Sequence, residues 1–152
     1  MKDLKYLFAY TVPLATLISF NSFGIGTYTA VFYAFVVLPV LDVVLGKSSN
    51  NLTESKREEK KLNKIFDWML YINLPIVYIL MVYGFNKVSS IDYTVTEKIG
   101  LYLSGGILLA TNGINVAHEL CHRRKYYEKF IGKALFLPCL LYTSDAADEC
   151  SG

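Results

Sequence analysis

The sequence predicts an all-α fold, an integral-membrane helical bundle with about four transmembrane helices plus a partial fifth apolar segment. The 152 residues are 53% hydrophobic, 14% aromatic and 18% charged, whereas soluble domains carry about 25% charged residues. The charges fall in blocks separated by four neutral runs, each near the length of about 20 residues that spans a bilayer. A soluble all-α protein is the alternative, but so short a chain would have to bury all four runs. The composition also argues against a disordered chain and against a nucleic-acid-binding domain.

The first two helices are predicted to form a hairpin. Residues 6 to 41 include no charged side chain. The stretch Asn21 to Gly26 lies near the middle of this run and contains turn-forming residues. We therefore predict one helix from Tyr6 through Ser19 to the turn, and a second over Thr27 to Gly46.

The remaining helices follow a polar segment that runs from Lys47 to Lys64. Within this segment, Thr53 is the predicted N-cap of a charged surface helix. The third neutral run extends from Trp68 to Phe85, and the fourth extends from Ile99 to Ala117. Asn86 to Lys98, between these two runs, is predicted to be a short polar loop.

The distribution of basic residues predicts the orientation in the membrane. Lysine and arginine concentrate at the N-terminus, in the second loop and after the fourth run, and they are sparse in between. Because cytoplasmic loops carry an excess of these residues, we predict a multi-pass protein with a cytoplasmic N-terminus. The two histidines then lie at the cytoplasmic end of the fourth helix.

The chain's two histidines, His118 and His122, are four residues apart. On a helix this spacing places both imidazoles on one face, where they can bind one metal ion. The alternative is a pair of interfacial histidines that interact with the negative end of the helix dipole. The motif also matches H-E-x-x-H, in which two histidines bind zinc and the glutamate is a general base. A zinc protease would need a third protein ligand, and none is apparent in the sequence.

Two motifs resemble one family. The residues Gly113 to Arg123 read GINVAHELCHR, which is similar to the first histidine box of the membrane alkane monooxygenases, approximately N-x-[AG]-H-E-L-[GC]-H-[KR]. The residues Leu38 to Gly46 read LPVLDVVLG and resemble that family's L-P-x-L-D-x-x-x-G. The resemblance covers about Lys5 to Pro138. It extends to the wider class of histidine-box desaturases and hydroxylases, but the L-P-x-L-D element favours the alkane type.

The resemblance implies a non-haem di-iron enzyme in which His118 and His122 are iron ligands. Glu119 is then hydrogen-bonding support for these ligands, and Cys121 is not expected to be a ligand. Asn115 either hydrogen-bonds within the same shell or joins two helices. Asp42 either orients a ligand or basic residue, or is a solvated helix end.

The resemblance also implies the reaction and the partners. The full-length protein would hydroxylate the terminal carbon of alkanes in the bacterial cytoplasmic membrane, with two iron ions, dioxygen and electrons from a rubredoxin-type donor and its reductase. The basic residues near Arg123 would attract an acidic carrier, although they also serve as topology determinants. A zinc protease, a related desaturase or hydroxylase, and a non-enzymatic membrane module remain alternatives.

The end of the chain departs from the family. The downstream boxes E-H-x-x-G-H-H and R-H-x-x-H-H and the N-Y-x-E-H-Y element do not occur in it, so the di-iron ligand set is incomplete. Cys139 to Glu149 resembles the translation of a transposase adapter used in sequencing libraries. We therefore expect residues 1–138 to be the N-terminal part of the hydroxylase domain and residues 139–152 to be a non-native tail. The 152-residue chain is expected to be inactive by itself.

Overall fold

The computed structural model describes residues 10–45, 64–123 and 125–139. Within these ranges the chain is helical apart from short turns and contains no strand. The α-helices are α1 (Thr11–Phe20), α2 (Thr29–Phe32), α3 (Leu38–Leu45), α4 (Lys64–Tyr71), α5 (Asn73–Ser90), α6 (Val95–Leu108), α7 (Asn115–Cys121) and α8 (Tyr126–Phe136). The described ranges also contain two 3₁₀-helices, Gly24–Tyr28 and Leu137–Cys139, and two π-helical segments, Tyr33–Val37 and Leu109–Ile114.

Within the described ranges, three helical stretches are long and apolar enough to cross a membrane: Gly24–Leu41, Asp67–Ser90 and Val95–Cys121. Helix α1 is apolar but shorter. Most of the residues in the three stretches are not buried in the protein, and Ile25 is 90% exposed. Apolar side chains that point outward are expected where lipid covers the surface. The predicted all-α membrane bundle is confirmed.

The first hairpin is held by hydrogen bonds at its turn. Gly24 has a φ of 57°, a left-handed conformation that glycine adopts without a steric penalty. Its N–H donates to Glu97 Oε1 at 2.6 Å, and the hydroxyl of Ser104 donates to the carbonyl of Thr27 at 2.8 Å. The Ala30 N–H donates to Ser19 Oγ at 2.9 Å. The contacts of Gly24 and Thr27 fasten the hairpin turn to α6, and the contact of Ala30 joins the two arms of the hairpin.

The predicted loop from Asn86 to Lys98 is wrong in its extent. Helix α5 continues to Ser90 and α6 begins at Val95, so only residues 91–94 lie outside helices. The physical reason is a capping box, in which Thr94 and Glu97 each bond the other's backbone N–H. This arrangement satisfies two N–H groups that otherwise lack partners at a helix start.

Several sequence predictions lie outside the described residues. These are the surface helix capped by Thr53, the first residues of the first predicted helix, and the tail after Cys139.

Candidate functional site

Four polar side chains form a single exposed stripe at the end of the third membrane-crossing stretch. Asn115, His118, Glu119 and His122 are all exposed, and their spacing of i, i+3, i+4 and i+7 places them on one helix face. His122 is the C-cap of α7, and its N–H donates to the carbonyl of His118 at 3.2 Å. The structure therefore brings together the four polar residues that the sequence motif singled out on this helix.

The stripe's position depends on a π-helical segment that the sequence did not reveal. Leu109–Ile114 directly precedes α7. A π turn holds one residue more than an α turn, so it rotates the following side chains by about 100° around the helix axis. Segments of this kind frequently occur at functional sites. Here the π turn sets which face of α7 carries the histidines.

The opposite face of α7 packs against α8. Ala117, Leu120 and Cys121 are buried there with Leu135. At Gly132 of α8, a Cβ atom would lie 2.9 Å from Cys121 Sγ and 3.0 Å from the carbonyl oxygen of Ala117. The two helices therefore cross closely enough to require glycine at this point, and the stripe is left on the outer side.

His118 rests against the end of α8. Its ring meets the buried ring of Phe136 edge to face, with centroids 5.2 Å apart and planes at 79°. An aromatic contact of this geometry restricts the orientation of the imidazole. Asp42, the remaining candidate, lies on α3, and its side chain is outside what the structure describes.

An ionic network centred on Arg123 lies immediately after the stripe, and sequence reasoning did not find it. The guanidinium of Arg123 forms an ion pair and hydrogen bond with Asp67 of α4. Its Nη1 lies 3.6 Å from Glu128 Oε1 of α8, and its Nη2 lies 3.8 Å from Glu119 Oε1. The network therefore joins the end of the histidine helix to two other helices.

The buried member of this network is Glu128. Its side chain is 2% exposed, and it accepts a hydrogen bond from the Tyr71 hydroxyl. Burial lowers the pKa of the Arg123 guanidinium, but the hydrogen bond and charge of Asp67 outweigh this effect, so the pKa is raised overall. Arg123 thus stays fully charged, as a buried carboxylate requires of its partner.

A second polar contact attaches the membrane-crossing stretch Val95–Cys121 to α5, at a point that precedes the histidines. The Asn112 amide of the π-helical segment donates to Asn73 Oδ1 of α5 at 2.8 Å, and both side chains are buried. Asn73 in turn donates to the carbonyl of Met69 at 2.8 Å. Amide pairs of this kind join helices within a membrane. The histidine helix is therefore attached at Asn112, before the histidines, and at Arg123, after them.

An apolar cavity of about 220 Å³ lies between α1, α5 and α6. It extends from Val88 and Tyr102 to Leu109, the first residue of the π-helical segment, and Phe20 and Gly105 also line it. Apolar clefts of this kind suit a hydrocarbon group.

The donor chemistry of the stripe fits part of a metal site. Two imidazoles one helical turn apart are suitable ligands for iron or zinc. Among residues 10–45, 64–123 and 125–139, however, no group of three histidine, cysteine, aspartate or glutamate side chains is placed to hold a metal ion. The described residues thus place two imidazoles on one helix face and do not complete a metal site.

Comparison with curated proteins identifies relatives along the whole chain. Alkane 1-monooxygenase 2 of Alcanivorax borkumensis is 30% identical over 160 aligned positions, which cover 100% of this chain and 42% of that protein. Alkane 1-monooxygenase of Pseudomonas putida is 29% identical over 110 positions, or 71% of this chain and 26% of that protein. Alkane 1-monooxygenase 1 of A. borkumensis is 28% identical over 99 positions. No family model matches the chain.

The fold and the site together define a helical membrane protein with a histidine-bearing face at the end of one membrane-crossing stretch. The chain is similar to the alkane 1-monooxygenases, and the resemblance predicted from its two motifs is confirmed. It spans less than half the length of the curated relatives that it matches.

Proposed function

We propose that the chain is the N-terminal part of a membrane alkane 1-monooxygenase that hydroxylates the terminal carbon of a medium- or long-chain alkane with dioxygen. The proposal is supported by three relatives named for this activity. Because the chain spans 42% or less of each relative, the complete reaction requires sequence beyond it. The 152-residue chain by itself is therefore expected to be inactive.

His118 and His122 are the proposed ligands of a non-haem di-iron centre, and iron bound there would supply the activation of dioxygen. The observation that carries this assignment is the exposed polar stripe on a helix whose other face is packed. Glu119 and Asn115 share the stripe and are proposed to hydrogen-bond to the ligands. Asp42 is proposed to orient a ligand or basic residue from α3.

The cavity between α1, α5 and α6 is proposed to accept the alkyl chain. Its lining is apolar, and its boundary at Leu109 adjoins the segment that leads to the histidines. Helix packing around the cavity would keep water away from the hydrocarbon.

The proposed electron donor is a rubredoxin-type protein, which is itself reduced by its reductase. It is proposed to dock at the cytoplasmic face of the bacterial inner membrane. Lys125 is exposed three residues after the histidine stripe, whereas the charge of Arg123 is matched by Asp67 and Glu128. A positive side chain in the position of Lys125 attracts an acidic carrier. In this orientation the N-terminus is cytoplasmic as well.

Replacing either histidine by alanine is expected to weaken binding of Co²⁺, an air-stable probe, by about 100-fold. The reason is that two ligands are needed to chelate the ion. Even residues that only support the ligands contribute about 10- to 100-fold to metal affinity. The chain is purified in detergent with an affinity tag that contains no histidine, and Co²⁺ absorption is titrated. Lys98→Gln, at the opposite end of the third stretch, is the control and should bind as the parent does. Unchanged affinity in both His118→Ala and His122→Ala would contradict the assignment.

The source DNA beyond codon 138 is expected to encode E-H-x-x-G-H-H and R-H-x-x-H-H boxes in continuous frame. These histidines would complete the di-iron ligand set that the chain begins. The measurement is sequencing of the genomic locus without library adapters. A genomic stop codon directly after codon 152 would contradict both the proposed tail and the proposed complete enzyme, and a single downstream zinc ligand would favour the protease.

A further inference from the structure

We propose that Arg123 is a positioning residue that holds His122 in register with His118 by anchoring the end of α7 to Asp67 and Glu128. The identity of the metal rests on the proposed function, but the anchoring itself does not.

The need for an anchor follows from where the helical stretch that contains α7 ends. Helix α7 has seven residues and ends at Cys121, so His122 is the C-cap. The last turn of a helix lacks partners for its carbonyl groups and frays readily. Two imidazoles share one ion only while the last turn remains helical. The second histidine therefore occupies the least stable position of the helix.

The backbone alone gives His122 limited support. Its N–H donates to the carbonyl of His118, and the N–H of Arg123 donates to the carbonyl of Leu120, each at 3.2 Å. These bonds are at the long end of the usual range. Helix α7 ends at Cys121, so no further turn of this helix follows the histidine.

The Arg123 side chain supplies the missing attachment from outside the helix. It is 23% exposed and pairs with Asp67, which is 18% exposed and lies on α4. It also faces Glu128, 2% exposed, on α8. A planar guanidinium can meet two carboxylates in fixed directions, whereas a lysine ammonium is a single point charge. Because α4 and α8 are separate elements, the end of α7 is held from two sides.

The test combines a metal-free measurement with a metal titration on the complete chain in detergent. Amide hydrogen exchange at His122 and Arg123 reports fraying of the last turn. With two histidines in the chain, selective ¹⁵N-histidine labelling gives one imidazole signal set per proposed ligand, which can be followed during addition of Co²⁺ or Zn²⁺.

Arg123→Gln is expected to raise amide exchange at His122 about tenfold and to weaken Co²⁺ binding about tenfold. Exchange within α6 should be unchanged, which separates local fraying from general unfolding. Arg123→Lys should recover only part of both effects, since lysine replaces the charge without the two-sided geometry. Asp67→Asn, a nearly isosteric change, should reproduce the direction of the Arg123→Gln result if that variant does not fold.

The outcomes separate the inference from the proposed function. Faster amide exchange at His122 in Arg123→Gln supports the anchor. If the unsubstituted chain also binds no Co²⁺, the anchor is still supported and the metal assignment is contradicted. Unchanged exchange and unchanged Co²⁺ affinity in both Arg123→Gln and Asp67→Asn overturn the anchor. Equal acceleration of exchange throughout α6 and α7 also overturns it, because the network would then be a general stability element.

Discussion

Replacing Gly132 by alanine is expected to lower the free energy of unfolding by about 1–3 kcal/mol, the usual penalty for overpacking. A Cβ there would lie 2.9 Å from Cys121 Sγ and 3.0 Å from the backbone carbonyl of Ala117. The carbonyl belongs to a helix and cannot rotate away, so α8 must shift outward. Helix propensity would favour alanine by about 1 kcal/mol, and the observed loss should exceed this gain. Leucine at Gly132 should lose the α7–α8 packing altogether.

Gly106→Ala is the matched control for Gly132→Ala. Gly106 also lies within an α-helix, but a Cβ there would meet nothing within 4 Å. It should therefore be neutral or slightly stabilising. Unfolding of the detergent-solubilised chain, followed by circular dichroism as the denaturing detergent is increased, gives both values. Equal stability of the two variants would show that the helices do not cross as closely as the structure has them.

The membrane helices and the histidine pair were predictable because each depends on a local pattern. Uncharged stretches of bilayer length indicate spans regardless of tertiary contacts. The spacing between His118 and His122 fixes their common face wherever the helix packs. The exposure of that face, by contrast, depends on where α8 lies.

The helix boundaries on either side of residues 91–94 differ from the predicted loop of Asn86 to Lys98, although the sequence contains a signal for the start of α6. The residues from Thr94 to Glu97 read TVTE, which is the S/T-x-x-E pattern of a capping box. The polar side chains of this segment suggested a loop, but Thr94 and Glu97 use their polarity to begin a helix. The π-helical segment Leu109–Ile114 offered no comparable signal, because an extra residue in a turn leaves the composition unchanged.

The ionic network could not be read from the sequence. Asp67 and Glu128 are separated by 61 positions in the sequence. They meet through Arg123 only because α4, α7 and α8 converge. That convergence depends on the close helix crossing at Gly132. Charged residues near the ends of apolar runs usually remain solvated or set topology. The sequence alone therefore favours solvated side chains over an ionic network with a buried member. Burial of Glu128 is a tertiary property.

Replacing Glu128 by alanine is expected to lower the free energy of unfolding by about 3–5 kcal/mol, the loss typical when one partner of a buried ion pair is removed. The change leaves the Tyr71 hydroxyl without the carboxylate that accepts its hydrogen bond. It also removes the buried partner of Arg123 and opens a space where a 2% exposed side chain was packed. Glu128→Gln should lose less, because its amide oxygen still accepts the hydrogen bond from Tyr71.

Glu119→Ala is the matched control for Glu128→Ala, since both carboxylates face the same guanidinium. Glu119 lies 3.8 Å from Arg123 Nη2 but is 61% exposed, and exposed pairs contribute about 0–1 kcal/mol. The same detergent unfolding titration measures both variants. High salt should diminish the small effect of Glu119 and leave the effect of Glu128 nearly unchanged, because buried pairs are weakly screened. Equal losses for the two variants would mean that Glu128 is solvated and that the end of α7 is not held from the side of α8.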